Sequence, residues 1–153
     1  VGEPKEEKTK ILKLLAPLLP EDKAHYVMGV GTPEELVEGV RHGIDMFDCV
    51  MPTRNARNGM LFTSEGFINI RNQKWEKDFS PIDPNGTSYV DQRYNKAYLR
   101  HLMKANEMTG AAIASIHNLS FYLWLMREAR KHIIAGDFTT WKNQMVKKVS
   151  TRL

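Results

Sequence analysis

The feature that most narrows the fold is a helix start set between two apolar runs. Thr32-Pro33-Glu34-Glu35 offers Thr as N-cap, Pro at the first helical position and Glu35 to complete a capping box. His25-Tyr-Val-Met-Gly-Val30 precedes it. Ile44-Asp-Met-Phe-Asp-Cys-Val-Met51 follows at once after Gly43, a C-cap residue, and Pro52 closes it. Neither run alternates polar with apolar residues, so each predicts a strand covered on both faces of a parallel sheet. Residues 25–51 therefore predict a right-handed strand-helix-strand crossover with short connections.

The flanks are mostly helical. Ile11, Leu12, Leu14, Leu15, Leu18 and Leu19 recur at helical spacing from Lys5 to Leu19, and Pro17 and Pro20 end that helix. Thr53 to Gly59 is polar and basic and reads as a loop, Met60 to Arg71 as a hairpin around Ser64-Glu65-Gly66, and 72–93 as an irregular excursion. Helices are expected over 94–108, over 110–135 ending at Gly136, and over 137–149 with Asp137 as N-cap. The expected organisation is 1–71 as βα units with the hairpin and 72–153 as a helical region. One crossover cannot close a barrel, and a (β/α)₈ barrel takes about 250 residues. The α/β pattern thus fits the last third of such a barrel with appended helices.

With 42% hydrophobic and 26% charged residues the chain is globular rather than disordered or fibrous. Its one cysteine, Cys49, permits no intramolecular disulfide, and no apolar stretch is long enough to span a bilayer, so a cytoplasmic protein with no membrane partner is expected. The net charge of +4 suits a polyanionic partner and equally suits solubility. The chain opens on Val1-Gly2-Glu3 without an initiator Met, and a piece of a longer protein is expected.

Phe47-Asp48-Cys49-Val50-Met51-Pro52-Thr53-Arg54-Asn55-Ala56-Arg57-Asn58-Gly59 is the densest chemical signal. It sets a carboxylate near the C-terminal end of a buried strand, where barrel enzymes place their active sites. Burial raises the pKa of such a group unless hydrogen bonds hold the anion. Asp48 is thus either a reactive carboxylate or an acceptor for backbone N–H groups at a strand end. Arg54 and Arg57 suit phosphate or base-edge contacts, or simply solvent. Met28-Gly29-Val30-Gly31 leaves space for a planar ligand, or is a plain βα turn.

His-Tyr-Val-Met-Gly-Val-Gly-Thr-Pro-Glu-Glu-Leu (25–36) and Gly-Ile-Asp-Met-Phe-Asp-Cys-Val-Met-Pro-Thr-Arg-Asn-Ala-Arg-Asn-Gly (43–59) resemble the bacterial tRNA-guanine transglycosylases. The resemblance continues through Ile68-Asn-Ile-Arg-Asn72, Ala97-Tyr-Leu-Arg-His101 and Ile116-His-Asn-Leu119. It implies the C-terminal half of a TIM (β/α)₈ barrel, with the family's insertion and closing helices. It also implies an enzyme that exchanges the wobble guanine of tRNAs with GUN anticodons for a deazaguanine, with Asp48 as nucleophile. Glu3, Tyr26, Met28 and Gly29 match substrate-binding positions. Gly29, Val30, Gly31, Thr32, Pro33, Glu34 and Glu35 match one tRNA-contacting segment, and Thr53, Arg54, Asn55, Ala56 and Arg57 match the other. Thr32 stands where the family has a lysine.

The family's metal pattern is Cys-x-Cys-x-x-Cys followed by a distant His, a tetrahedral zinc site. The matching positions here are Gly86, Ser88, Asp91 and His117, so no structural zinc and no other cofactor is expected, and His117 should pack and hydrogen-bond near Ser88 or Asp91. Cys49 is expected to be a buried structural thiol, turned from Asp48 by strand alternation. Trp75, Tyr94, Phe121, Tyr122 and Trp124 are expected in the core or in a homodimer interface of the kind the family forms. The rival expectation is a non-catalytic tRNA-binding or subunit-partner relative of the same fold. Retention of Asp48 with Arg54 and Arg57 speaks against it.

Overall fold

The structure is a computed structural model and describes residues 4–153. The described residues form a mixed α/β arrangement in two compact units, Val1–Val50 and Met51–Leu153.

In the first unit α1 (Lys5–Leu15) tightens into a 3₁₀ turn, Ala16–Leu18, and Leu19 is extended, as a residue before proline prefers. Strands β1 (Tyr26–Val27) and β2 (Met46–Phe47) pair in parallel, Tyr26 opposite Met46 and Val27 opposite Phe47. Helix α2 (Pro33–Arg41) joins them. Its start follows the expectation: Thr32 Oγ1 accepts the Glu35 N–H at 3.2 Å, and Glu35 Oε2 accepts the Thr32 N–H at 3.2 Å. Leu36, Val37 and Ile44 bury its inner side. Glu35 also takes Lys8 Nζ, tying α1 to α2. Burial pushes Glu35 up, but Lys8 and Thr32 outweigh it and leave the carboxyl below its ordinary range. Thr32→Ala removes the cap and is expected to cost about 1 kcal/mol, read as a lower melting temperature by circular dichroism.

Two expectations for this unit are corrected. The strands hold two residues each, not six and eight, and they are not covered on both faces. Tyr26, Met28 and Met46 are 52%, 66% and 48% exposed. Side chains alternate across a strand, so Val27 and Phe47 take the partly covered side and Tyr26 and Met46 the open one.

Where β1 begins, His25 closes the lower end of the crossover. Its N–H donates to Asp45 Oδ2 at 2.8 Å, while Nε2 lies 2.9 Å from Pro20 O and Nδ1 2.8 Å from Gly43 O. Carbonyl oxygens only accept, so the ring meets both fully when doubly protonated. The Pro20 and Gly43 carbonyls therefore raise its pKa, against a small opposing effect of burial. A raised folded pKa means the contribution is complete below about pH 6.5 and is lost as pH rises through the folded value. His25→Gln is accordingly expected to lower the melting temperature at pH 5.5–6 and to converge on the unsubstituted protein at higher pH.

In the second unit residues 51–57, expected as loop, form helix α3 (Met51–Arg57), with Pro52 in its first turn. Strands β3 (Met60–Thr63) and β4 (Gly66–Asn69) make the expected hairpin, with Leu61 opposite Ile68 and Phe62 opposite Phe67. Then come α4 (Tyr89–Arg93), α5 (Lys96–Lys104), the 28-residue α6 (Met108–Ala135) and α7 (Phe138–Val149). Leu61, Ile68, Ile70, Ile82, Val90, Leu99, Ile113 and Ala114 form one core. Asn118 of α6, fully buried, accepts the Phe62 N–H at 3.1 Å and donates to Pro52 O and Met60 O at 2.9 and 3.0 Å. It thereby fixes α3 and β3 on α6.

The stretch 72–93 is less irregular than expected. Asp83, buried, accepts the Ser64 N–H and hydroxyl at 2.6 and 2.9 Å and the Asn85 N–H at 3.0 Å, pinning the excursion to the hairpin turn. Asp137 stands at the start of α7 as expected but makes no capping bond, because its carboxylate meets His132 Nδ1 at 2.7 Å instead.

Candidate active site

Asp48 follows β2 directly, so its backbone direction is set by the two-residue pairing with β1. Its Oδ1 accepts the Tyr26 hydroxyl at 2.6 Å and the Gly29 N–H at 3.2 Å. Tyr26 lies in β1, and Gly29 stands just beyond it with φ of +68°, a conformation costly for a residue with Cβ, which turns its N–H onto the carboxylate. The Tyr26 hydroxyl, with the Gly29 N–H, holds the Asp48 carboxyl below its ordinary range. In return the Asp48 acceptor raises the Tyr26 phenol.

The expectation of a buried carboxylate is corrected, since Asp48 is exposed. The strand end that carries it has an open side, and its charge is held by two donors rather than by removal from water. An exposed, ionised and oriented carboxylate is fit for nucleophilic attack. One free oxygen is enough, because both donors act on Oδ1.

Met28 and Gly29, just beyond β1, are exposed, and the Gly29 N–H is the one that reaches Asp48. Val30, Thr32, Glu34 and Glu35 are half-buried, and Gly31 and Pro33 are buried. The Glu35 carboxylate is occupied by Thr32 and Lys8, which gives Thr32 a capping role at the position where the family resemblance implies lysine. In α3, Arg54 and Arg57 are exposed and lie on one face by their three-residue spacing, with Thr53 and Asn55 half-buried. Ala56, between the two arginines, is wholly buried in the core, where the helix turns it away from solvent. Cys49 is half-buried rather than buried, with Sγ 3.8 Å from Gly31 O. Glu3 lies outside the described residues. Asp45, which anchors the His25 backbone, and Asn118 were not singled out by sequence. An Asn amid the apolar positions of α6 was the available signal for the second.

The four positions of the family's zinc pattern come together around Asp91, but without the ligands of that pattern. His117 Nδ1 lies 2.6 Å from Asp91 Oδ1 and its Nε2 2.7 Å from Phe62 O, in agreement with the expected hydrogen bonding near Asp91. Gly86 has no donor side chain, and among the described residues no group of three or more His, Cys, Asp or Glu is placed to hold a metal ion. The residues present do not fit a structural zinc, which takes four ligands. Among the described residues no helix is long and apolar enough to cross a membrane.

The family model for queuine tRNA-ribosyltransferase matches residues 1–151. Proteins named queuine tRNA-ribosyltransferase are similar along most of the chain. That of Neisseria meningitidis serogroup C is 56% identical over 144 residues, covering 94% of this chain and 39% of the relative. That of Mannheimia succiniciproducens is 59% identical over 138 residues, 90% of this chain and 36% of the relative. That of Actinobacillus pleuropneumoniae serotype 5b is 57% identical over 138 residues, with the same coverage. The chain thus spans less than half the length of these relatives. A match that takes in Asp48, Tyr26, Gly29 and both arginines of α3 places the chain in the queuine tRNA-ribosyltransferase family.

Proposed function

We propose that this chain is the nucleophile-bearing part of a tRNA-guanine transglycosylase. It exchanges the wobble guanine of GUN-anticodon tRNAs for a 7-deazaguanine precursor of queuosine, preQ1. The observation that carries the reading is the exposed Asp48 carboxylate, ionised and aimed by Tyr26 and Gly29.

Asp48 attacks ribose C1′ as the bond from C1′ to N9 of guanine breaks, and the guanine leaves with the electron pair and takes up a proton. A carboxylate at this point stabilises the oxocarbenium-like transition state and then collapses onto it as a covalent glycosyl-enzyme. The deazaguanine, losing its own N9 proton, displaces Asp48 from C1′. Two displacements leave the configuration retained, and the glycosidic bond energy is conserved without ATP. The exposed Tyr26, Met28 and Gly29 suit the base and ribose beside the carboxylate. Segment 29–35 and the Arg54 and Arg57 pair on α3 suit an unstacked anticodon loop, from which a base must be drawn before it can react.

In this reading β1, α2 and β2 are one repeat of a (β/α)₈ barrel, the remaining strands belong to the rest of the enzyme, and the complete protein is a cytoplasmic homodimer. Proton transfer to and from the bases falls to groups of that remainder, so the chain alone is expected to be inactive. The test is incorporation of labelled guanine into a GUN-anticodon tRNA by the natural protein carrying this sequence. Exchange that stops when the wobble guanine is replaced is the expected result, and tRNA binding without exchange would instead favour a non-catalytic relative.

A further inference from the structure

The catalytic proposal leaves unused a buried polar group where α4, α6 and β3 meet. His117 is 1% exposed and Asp91 4%. The imidazole nitrogens face Asp91 Oδ1 and Phe62 O, and the other carboxylate oxygen, Oδ2, accepts the Ser88 N–H at 3.3 Å. Ser88 and Asp91 are also the two ends of the capping box that starts α4. Every polar atom a metal would need here is already turned onto a partner in the protein. The cavity alongside, lined by Gly86, Asp91 and His117 among others, measures about 10 Å³, room for about one water.

Gly86 supplies the second, independent observation. A Cβ placed on it would lie 2.3 Å from Asp91 Oδ2 and 2.4 Å from Asp91 Cγ, well inside any real contact. Gly86 is not among the glycines with positive φ, so backbone conformation does not require it. Space does. The carboxylate of Asp91 sits where the first atom of any side chain at 86 would be.

We infer that Gly86, Ser88, Asp91 and His117 form a metal-independent clamp, in which the Asp91 carboxylate fills the volume vacated at Gly86 and, through His117, ties α4 to α6 and β3. The contrast with a zinc site rests on the family membership; the clamp and its exclusion of a side chain at 86 rest on the contacts alone. A thiolate at 86 and a carboxylate at 91 exclude each other, so the two positions are coupled. A buried carboxylate with its hydrogen bonds satisfied does the cross-linking that a cation would do, at the cost of tolerating no loss of a partner.

Two measurements on the natural protein test this. Elemental analysis should find well under one equivalent of zinc, and the melting temperature should not move with EDTA. One bound equivalent, or a melting point that falls with chelator, overturns the inference. Gly86→Ala and Asp91→Ala are each expected to lower the melting temperature by at least about 4 °C. In the double variant the carboxylate at 2.3 and 2.4 Å is gone and only the Cβ of residue 91, at 2.9 Å, still crowds the added methyl, so the combined loss should be clearly smaller than the sum of the two. Additive losses overturn the shared-volume claim. Should Gly86→Ala alone not fold, introducing it on an Asp91→Gly background, where the Cβ at 2.9 Å is gone as well, must leave that variant's melting temperature nearly unchanged, and a further collapse there counts against the clamp.

Discussion

Asp48→Ala is expected to reduce guanine exchange by at least about 10⁴-fold in kcat, the order of loss seen when a nucleophile is removed and only binding and positioning remain. Folding should be unaffected, because Asp48 is exposed and its removal leaves only the solvent-accessible Tyr26 hydroxyl and Gly29 N–H to water. The covalent step makes a second readout available: a glycosyl-enzyme trapped by denaturation during turnover should be present in the unsubstituted protein and absent from the variant. Exchange at an undiminished rate would remove Asp48 from the mechanism.

Tyr26→Phe separates the carboxylate's orientation from its reactivity. It deletes the 2.6 Å hydrogen bond and leaves the Gly29 N–H, so a loss of about 10- to 100-fold is expected, the equivalent of one hydrogen bond to a charged group. The Tyr26 hydroxyl is the larger cause of the lowered Asp48 pKa. A depressed carboxyl is active above its folded pKa and is lost as pH falls through it. The acid limb of the kcat/KM profile should therefore move upward in Tyr26→Phe, toward the ordinary Asp value of about 3.9. An unmoved limb would assign it to another group.

The largest stability effect is expected at Asn118. Asn118→Ala strips partners from the Phe62 N–H, the Pro52 carbonyl and the Met60 carbonyl together, at a site with no exposure. Each buried group left unmet costs about 1–3 kcal/mol, so a loss of about 3 kcal/mol or more follows, or at least about 6 °C in melting temperature. Asn118→Leu, which keeps the volume, should be no better, because shape without donors does not satisfy two carbonyls. A drop of under about 2 °C in thermal denaturation would show that α3 and β3 are held by their apolar contacts instead.

The crossover was legible because its signals are local. The capping box at Thr32 and Glu35, the proline at the first helical position and the glycine after the helix act within a few residues, and the structure forms α2 from them as expected. The hairpin and the long helix α6 were legible for the same reason. Residues 51–57 were not, although Pro52 in the first turn and Gly59 just beyond the end are ordinary helix bounds; the polar run between them resembles a loop until Ala56 is seen to be its buried position. The short helix α4 had a readable start in Ser88-x-x-Asp91, masked by the loss of the metal pattern at the same residues.

What the sequence alone determined is the family, the element types outside α3 and α4, and the identity of Asp48 as the residue to watch, since motif, periodicity and capping are properties of neighbours along the chain. The tertiary structure decided how far each strand extends, that Asp48 is exposed and held by Tyr26 and Gly29, and that Asp91 occupies the space at Gly86. These depend on atoms brought together from 5 to 22 residues apart, and on how two or more side chains share one volume, which no local pattern encodes.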